Sequence, residues 1–173
     1  TQAELKKEIL QELLKRLGRL EVIPSIRVVP SPKAYDYRIR IQLKVRRKAM
    51  GYYREGSHQI VDIDHCPISH PLVNRILRKL RGGLAVLQFM KEIELNVSPD
   101  EERGMILFHP HSYDRRIEIF AEELLQSNPI LRGVAIAGRG KINLFGDPMA
   151  LTVPSSQDRS LKLRISPGSF SQV

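Results

Sequence analysis

One run of ten residues limits the possible folds of this chain more than any other feature of its sequence. In this run apolar and polar side chains alternate at every position. The apolar positions are Tyr37, Ile39, Ile41, Leu43 and Val45, and the polar positions are Arg38, Arg40, Gln42, Lys44 and Arg46. Successive side chains of a β-strand point to opposite faces of its sheet. The pattern therefore predicts a strand with one face in a core and one basic face.

Helices and further strands are predicted on both sides of this strand. Apolar stripes at helical spacing predict helices over residues 2–17, from residue 72 to residue 80 and over residues 113–126. Short apolar runs predict strands at residues 22–29, 51–54, 59–63, 93–97, 105–109, 133–138, 142–145 and 161–165. This order predicts an α+β fold, in which helices pack on one face of a mostly antiparallel sheet.

The composition narrows the class of protein. The 173 residues contain one cysteine, which excludes an internal disulfide framework and is typical of a reducing, cytoplasmic compartment. The sequence as given contains no signal peptide and no apolar run near the roughly 18 residues of a membrane span. Because it starts at Thr1 inside a helical pattern and stops after a strand-like run, we expect a piece of a longer protein.

The positive charge is concentrated in one hairpin. Between Lys33 and Arg54 there are eight basic residues and one acid, a net +7 of the total +9, together with four of the five tyrosines. Cations beside aromatic rings are typical of proteins that bind single-stranded nucleic acid. Two simpler interpretations stay open. In the first, the charged side chains only keep one face of the strand in water, and the tyrosines pack in the core. In the second, which is less favoured, the basic side chains contact a membrane surface.

Nothing in the sequence forms an obvious catalytic or metal site. Cys66 lies near His58, His65 and His70, but their spacing matches none of the usual zinc ligand pairs, and a buried free thiol is the main alternative. Taken alone, these residues predict a binding module and not an enzyme.

Three segments together resemble one enzyme family. They are YDYRIRIQLKV at residues 35–45, GSHQIVDIDHCPISHPLVN at residues 56–74 and LRISPGSFSQV at residues 163–173. Their sequence and order resemble the RNA 5-methyluridine (uracil-5-)methyltransferase family, whose members use S-adenosylmethionine. The resemblance covers essentially the whole chain.

The resemblance implies a division of the chain into three parts. Residues 1–20 would be a helix of the missing catalytic domain. Residues 21–162 would be the central, RNA-binding domain of the iron–sulfur type. Residues 163–173 would begin the truncated methyltransferase domain that binds S-adenosylmethionine.

The resemblance also implies functional residues. Cys66 matches the last cysteine ligand of a [4Fe–4S] cluster, whose other three ligands would precede Thr1. Gln172 matches a residue that contacts S-adenosylmethionine, and Phe170 matches an aromatic residue near the target uridine. Arg38 and Arg40 lie on the strand that faces RNA in the family pattern. With Phe170, and with Lys44 and Arg46 from the basic strand itself, they are the expected RNA-binding residues. Ile39 departs from the family pattern, which often has Asn there.

The implied reaction is covalent methylation of uridine at C5. A cysteine would attack C6 of the uridine, and a general base would later remove the C5 proton. Both groups would lie beyond Val173, so we expect this chain to be inactive and to hold no cofactor by itself. The expected partner is RNA, ribosomal rather than transfer RNA. The alternatives are an independent nucleic-acid-binding module and a scaffold whose basic face meets an acidic protein.

Overall fold

A computed structural model describes residues 1–138, 140–154 and 160–169 of the chain. The chain divides into two compact units, Thr1–Ala34 and a larger unit that begins at Tyr35. Among the described residues, no helix is long and apolar enough to cross a membrane.

The first unit contains helix α1, Gln2–Arg16, at the position that the sequence predicts. Thr1 and Glu4 form a capping box, and Lys15 and Arg16 lie in the last turn, where the helix dipole favours positive charge. The strand predicted at residues 22–29 is wrong, because this segment contains no strand. Pro24 within it has no amide hydrogen to donate, and no strand of the described residues pairs with the segment.

The second unit is built on a seven-stranded sheet. Its strands are β1 (Arg40–Arg46), β2 (Ala49–Tyr53), β3 (Ile60–Asp62), β4 (Met90–Ser98), β5 (Arg103–Pro110), β6 (Leu131–Ala137) and β7 (Ile142–Gly146). The spatial order is β3-β2-β1-β4-β5-β6-β7, and every neighbouring pair is antiparallel except β5 and β6. The mostly antiparallel α+β fold predicted from the sequence is confirmed.

Three helices follow in the second unit: α2 (Pro71–Leu80), α3 (Leu84–Leu87) and α4 (Arg115–Ser127). The apolar sides of α2 and α4 share one core with alternate residues of the sheet. Within it the rings of Phe108 on β5 and Phe120 on α4 stack with centroids 6.1 Å apart. The helices therefore cover one face of the sheet, as predicted.

A hairpin covers part of the opposite face. It consists of β8 (Leu151–Pro154), which the sequence analysis missed, and β9 (Lys162–Ile165). Its buried residues Leu151, Val153 and Ile165 form a second apolar cluster with Met105 of β5. On β1 and β2, the side chains of Gln42, Arg46 and Tyr53 are exposed.

The alternating run forms β1, which lies between β2 and β4. Ile41, Leu43 and Val45 are buried, which confirms the predicted core face. The strand starts later than the alternation does, at Arg40, and the Tyr37 side chain is 45% exposed instead of lying in the core.

Gly51, the first residue of the strand predicted at residues 51–54, lies inside β2, which starts two residues earlier at Ala49. A Cβ atom at this position would lie 1.9 Å from the carbonyl oxygen of Val61 in β3. The absence of a side chain thus allows β3 to approach β2.

We expect Gly51→Ala to destabilise the protein by about 2 kcal/mol, because the added methyl group must displace the backbone of β3. Urea unfolding measures the loss, and amide NMR shifts locate it. Gly82→Ala is the matched control, since a Cβ there meets nothing within 4 Å. Equal unfolding free energies of the two variants would contradict the close approach.

Candidate nucleic-acid interface

The polar face of β1 lies against a row of polar side chains on β4. In the antiparallel register Gln42 is opposite Glu94, and Lys44 is opposite Glu92. Both carboxylates are almost hidden from solvent, with 8% of Glu92 and 2% of Glu94 exposed. The sequence analysis missed these acids, although Glu92, Glu94 and Asn96 alternate with apolar residues in the sequence as the residues of β1 do.

Two of the predicted RNA-binding cations form ion pairs with these acids. The Arg40 guanidinium donates two hydrogen bonds to the Glu94 carboxylate, at 3.1 and 2.8 Å. Lys44 and Gln42 donate to the Glu92 carboxylate. Buried carboxylates need such partners, because an unpaired charge is costly away from water. The charges of Arg40 and Lys44 therefore stabilise the sheet.

The uncompensated positive charge lies on β1, between β1 and β2, and directly after β2, a region that we call the β1–β2 end. The side chains there are exposed and form no ion pair within the described ranges: Arg46, Arg47, Lys48 and Arg54. Arg38 is also exposed, and its backbone bridges to Ser69. Of the four predicted cations, Arg38 and Arg46 are thus available to an anionic partner.

An aromatic ring lies beside these cations. Tyr53 is 47% exposed, the Lys44 ammonium lies 5.9 Å from its ring centre, and the His58 ring contacts it edge-on. Tyr35 and Tyr37 are exposed as well, so the interpretation of the tyrosines as core residues is wrong for these three. An exposed ring among cations offers a surface on which a base can stack.

Cys66 is a buried free thiol, held by its backbone. Its amide donates to the Asn74 side chain at 2.9 Å, and the Asn74 amide group donates back to the Cys66 carbonyl at 3.1 Å. Asn74 also donates to the carbonyl of Ser69, so one buried side chain fixes the whole Cys-Pro-Ile turn. The sequence analysis missed Asn74, which gives no signal of this kind in the sequence.

The residues of this chain do not fit a [4Fe–4S] cluster by themselves. Four thiolates normally hold such a cluster, and Cys66 is the sole cysteine. Within the described residues, no three His, Cys, Asp or Glu side chains come together as metal ligands. The ligand role of Cys66 stays a prediction. Gln172 and Phe170 lie outside the described residues.

The Tyr52 hydroxyl donates a hydrogen bond to the Cys66 sulfur, with 4.0 Å between the oxygen and the sulfur. Burial, together with the nearby Cys66, raises the pKa of Tyr52 to about 12. The phenol thus stays protonated under all ordinary conditions.

Comparison with known proteins finds similarity to RNA methyltransferases. An uncharacterized RNA methyltransferase of Aquifex aeolicus is 29% identical over 126 residues, which are 72% of this chain and 30% of that protein. The 23S rRNA (uracil(1939)-C(5))-methyltransferase RlmD of Pectobacterium atrosepticum is 30% identical over 114 residues, 64% of this chain and 25% of that enzyme. No family model matches the chain.

A solved structure has the same fold. The Pyrococcus abyssi tRNA (uracil-54, C5)-methyltransferase, in complex with S-adenosyl-L-homocysteine, superposes with a TM-score of 0.71 over 98% of this chain and 44% of its own, at 21% identity. The chain resembles the RNA uracil-C5-methyltransferases, which confirms the resemblance predicted from the sequence. It spans at most 30% of the length of these two curated relatives.

We expect Arg40→Ala to lower the free energy of unfolding by about 3 kcal/mol, because it leaves the Glu94 carboxylate buried without its cation. Arg46→Ala on the same strand is the matched control, and it should change stability by no more than about 0.5 kcal/mol. Chemical denaturation measures both. Similar losses in the two variants would show that the Arg40–Glu94 pair does not support the sheet.

Stability should also fall at high pH through Tyr52. Its pKa lies above the ordinary value of 10.0, so its contribution is complete below pH 10 and is lost as the pH rises toward about 12. Tyr52→Phe should remove this fall, and Tyr53→Phe should leave it in place. Unfolding free energies measured across this pH range test the expectation, and a fall that persists in Tyr52→Phe would contradict it.

Proposed function

We propose that this chain is the central part of an RNA uracil-C5-methyltransferase. The proposal depends chiefly on the match of almost the whole chain to less than half of a uracil-C5-methyltransferase of known structure. The similarity to curated RNA methyltransferases, over a minor part of their length, supports it. In this view the sequence continues into a catalytic domain, of which α1 and residues 163–173 are flanking parts.

The chain's own contribution would be to bind and orient RNA. Arg46, Lys48 and Arg54 would neutralise phosphates at the β1–β2 end, and the Tyr53 ring would stack on an unpaired base. Because Arg40 and Lys44 are engaged by buried carboxylates, their effect on RNA would be indirect, through the shape of the sheet.

The chemistry would come from other parts of the protein. S-adenosylmethionine supplies the methyl group, and the nucleophilic cysteine and the base are expected outside this sequence. Contact of Gln172 with the cofactor, contact of Phe170 with the uridine and a cluster on Cys66 are parts of this proposal. Ribosomal RNA is the favoured substrate, because a curated relative from Pectobacterium atrosepticum is named a 23S rRNA methyltransferase. A cytoplasmic location belongs to the same proposal.

The decisive experiment incubates the whole protein that contains this chain with methyl-labelled S-adenosylmethionine and unmodified rRNA or tRNA. We expect label at C5 of a uridine and none with residues 1–173 alone. No methylation of either RNA would overturn the proposal. If residues 1–173 still bound RNA in that case, the alternative of an independent nucleic-acid-binding module would hold.

A triple variant tests the proposed contacts. Changing Arg46, Lys48 and Arg54 to Ser should weaken binding of a single-stranded RNA and reduce the log–log salt slope by about 2, since each phosphate contact contributes roughly 0.7. Fluorescence anisotropy over a range of salt concentrations measures both quantities. The control changes the exposed Arg75, Arg78 and Lys79 of α2, which removes equal charge from the helix side. Equal effects of the two triple variants would contradict an interface at the β1–β2 end.

A further inference from the structure

A cleft lies at the edge where β5 and β6 end and β4 and β7 begin. It has a volume of about 970 Å³, which is ample for a nucleotide. Its walls come from the sheet and from residues 111–113, which lead into α4. Among the described residues, none of those predicted to bind RNA or a cofactor lines it.

The charges in the walls favour an anion. Lys91 and Lys141 line the cleft, are exposed and form no ion pair within the part of the chain that the structure describes. The carboxylate in the wall, Glu92, is already occupied by Lys44 and Gln42. Two lysines of the cleft wall are therefore without a carboxylate partner in the part of the chain that the structure describes.

The cleft also offers rings and polar atoms. Tyr113 is 57% exposed, and its hydroxyl donates to Glu118, which fixes the position of the ring. His111 lines the same wall. The Nε2 atom of His109 is hidden from solvent and has no hydrogen-bond partner among the described residues. Hidden polar atoms are costly unless a partner satisfies them, and a ligand with polar groups is suited to that need.

The cleft is continuous with the candidate interface. Glu92 in its wall pairs with Lys44, and the Lys44 ammonium lies over the Tyr53 ring. His109 lies opposite Glu92 in the register of β4 and β5, so it lies on the same face of the sheet. One strand of nucleic acid along this face would thus reach the cleft from Tyr53.

We propose that this cleft binds one nucleotide of single-stranded RNA, with Lys91 and Lys141 at the phosphate and Tyr113 against the base. This inference rests on the proposed function, because it assigns the ligand to RNA. It adds a second contact point, separate from the cations of the β1–β2 end.

The test measures binding of a fluorescent oligouridylate of about ten nucleotides, within the usual site size of such surfaces. Lys91→Gln with Lys141→Gln should weaken binding about tenfold and reduce the log–log salt slope by about 1.4. The control is Arg78→Gln with Lys79→Gln, which removes two charges on the helix side. Tyr113→Leu should cost about tenfold and Tyr113→Phe very little, since the phenyl ring alone can stack.

A separate crosslinking experiment locates the ligand on the protein. An oligonucleotide with photoreactive uracils should crosslink to the peptide that contains Tyr113. The inference would be overturned if the cleft and control variants bound the oligonucleotide with equal affinity. It would also be overturned if the oligonucleotide did not bind at all. Uridine monophosphate binding the cleft as tightly as the oligonucleotide does would overturn it too, and would indicate a site for free nucleotides.

Failure of this inference is distinguishable from failure of the proposed function. If the whole protein methylates RNA while the cleft variants bind normally, only the cleft assignment falls. If RNA binding depends on Lys91 and Lys141 but no methyl transfer occurs, the cleft assignment stands and the enzymatic function falls.

Discussion

The middle of the sheet depends on two carboxylates that are buried between strands. Glu92 and Glu94 on β4 receive Lys44, Gln42 and Arg40 from β1, and without those donors each would be a charge in a poorly hydrated place. The same contacts define the pairing. A shift of one residue would place Ile41 and Leu43 on the polar face and the cations in the core, so the register has no close competitor. The remaining strands extend outward from this central pair.

The pairing of Arg40 and Lys44 with buried carboxylates changes how the basic strand β1 is interpreted. Its alternating cations have the composition of a nucleic-acid-binding surface, yet Arg40 and Lys44 are used inside the fold. The positive charge that remains lies at the β1–β2 end and in the cleft beyond Glu92. Under the proposed function, two groups of cations with an aromatic ring beside each would suit one strand of RNA that crosses the face.

The segment around Cys66 is also held by hydrogen bonds with a buried polar side chain. Asn74 on α2 bonds the turn that contains Cys66, so the thiol has a fixed position before any ligand is considered. Under the proposed function, such support would hold Cys66 in place for contact with other parts of a larger protein. The similarity of the chain to a minor part of its relatives agrees with this view.

The sequence by itself determined the elements whose pattern is local. The helical spacing of apolar residues predicted α1, α2 and α4, and the strict alternation of apolar and polar residues predicted the core face of β1. Tertiary structure decided what each polar residue does, because the partners lie far apart in the chain: 54 positions separate Arg40 from Glu94, and 48 separate Lys44 from Glu92. It also decided that residues 22–29 form no strand, that the backbone of β3 lies close against Gly51 and that a cleft forms at the sheet edge. The charges in the sequence indicate which side chains need a partner when they are buried. Only the folded chain places that partner within hydrogen-bond distance.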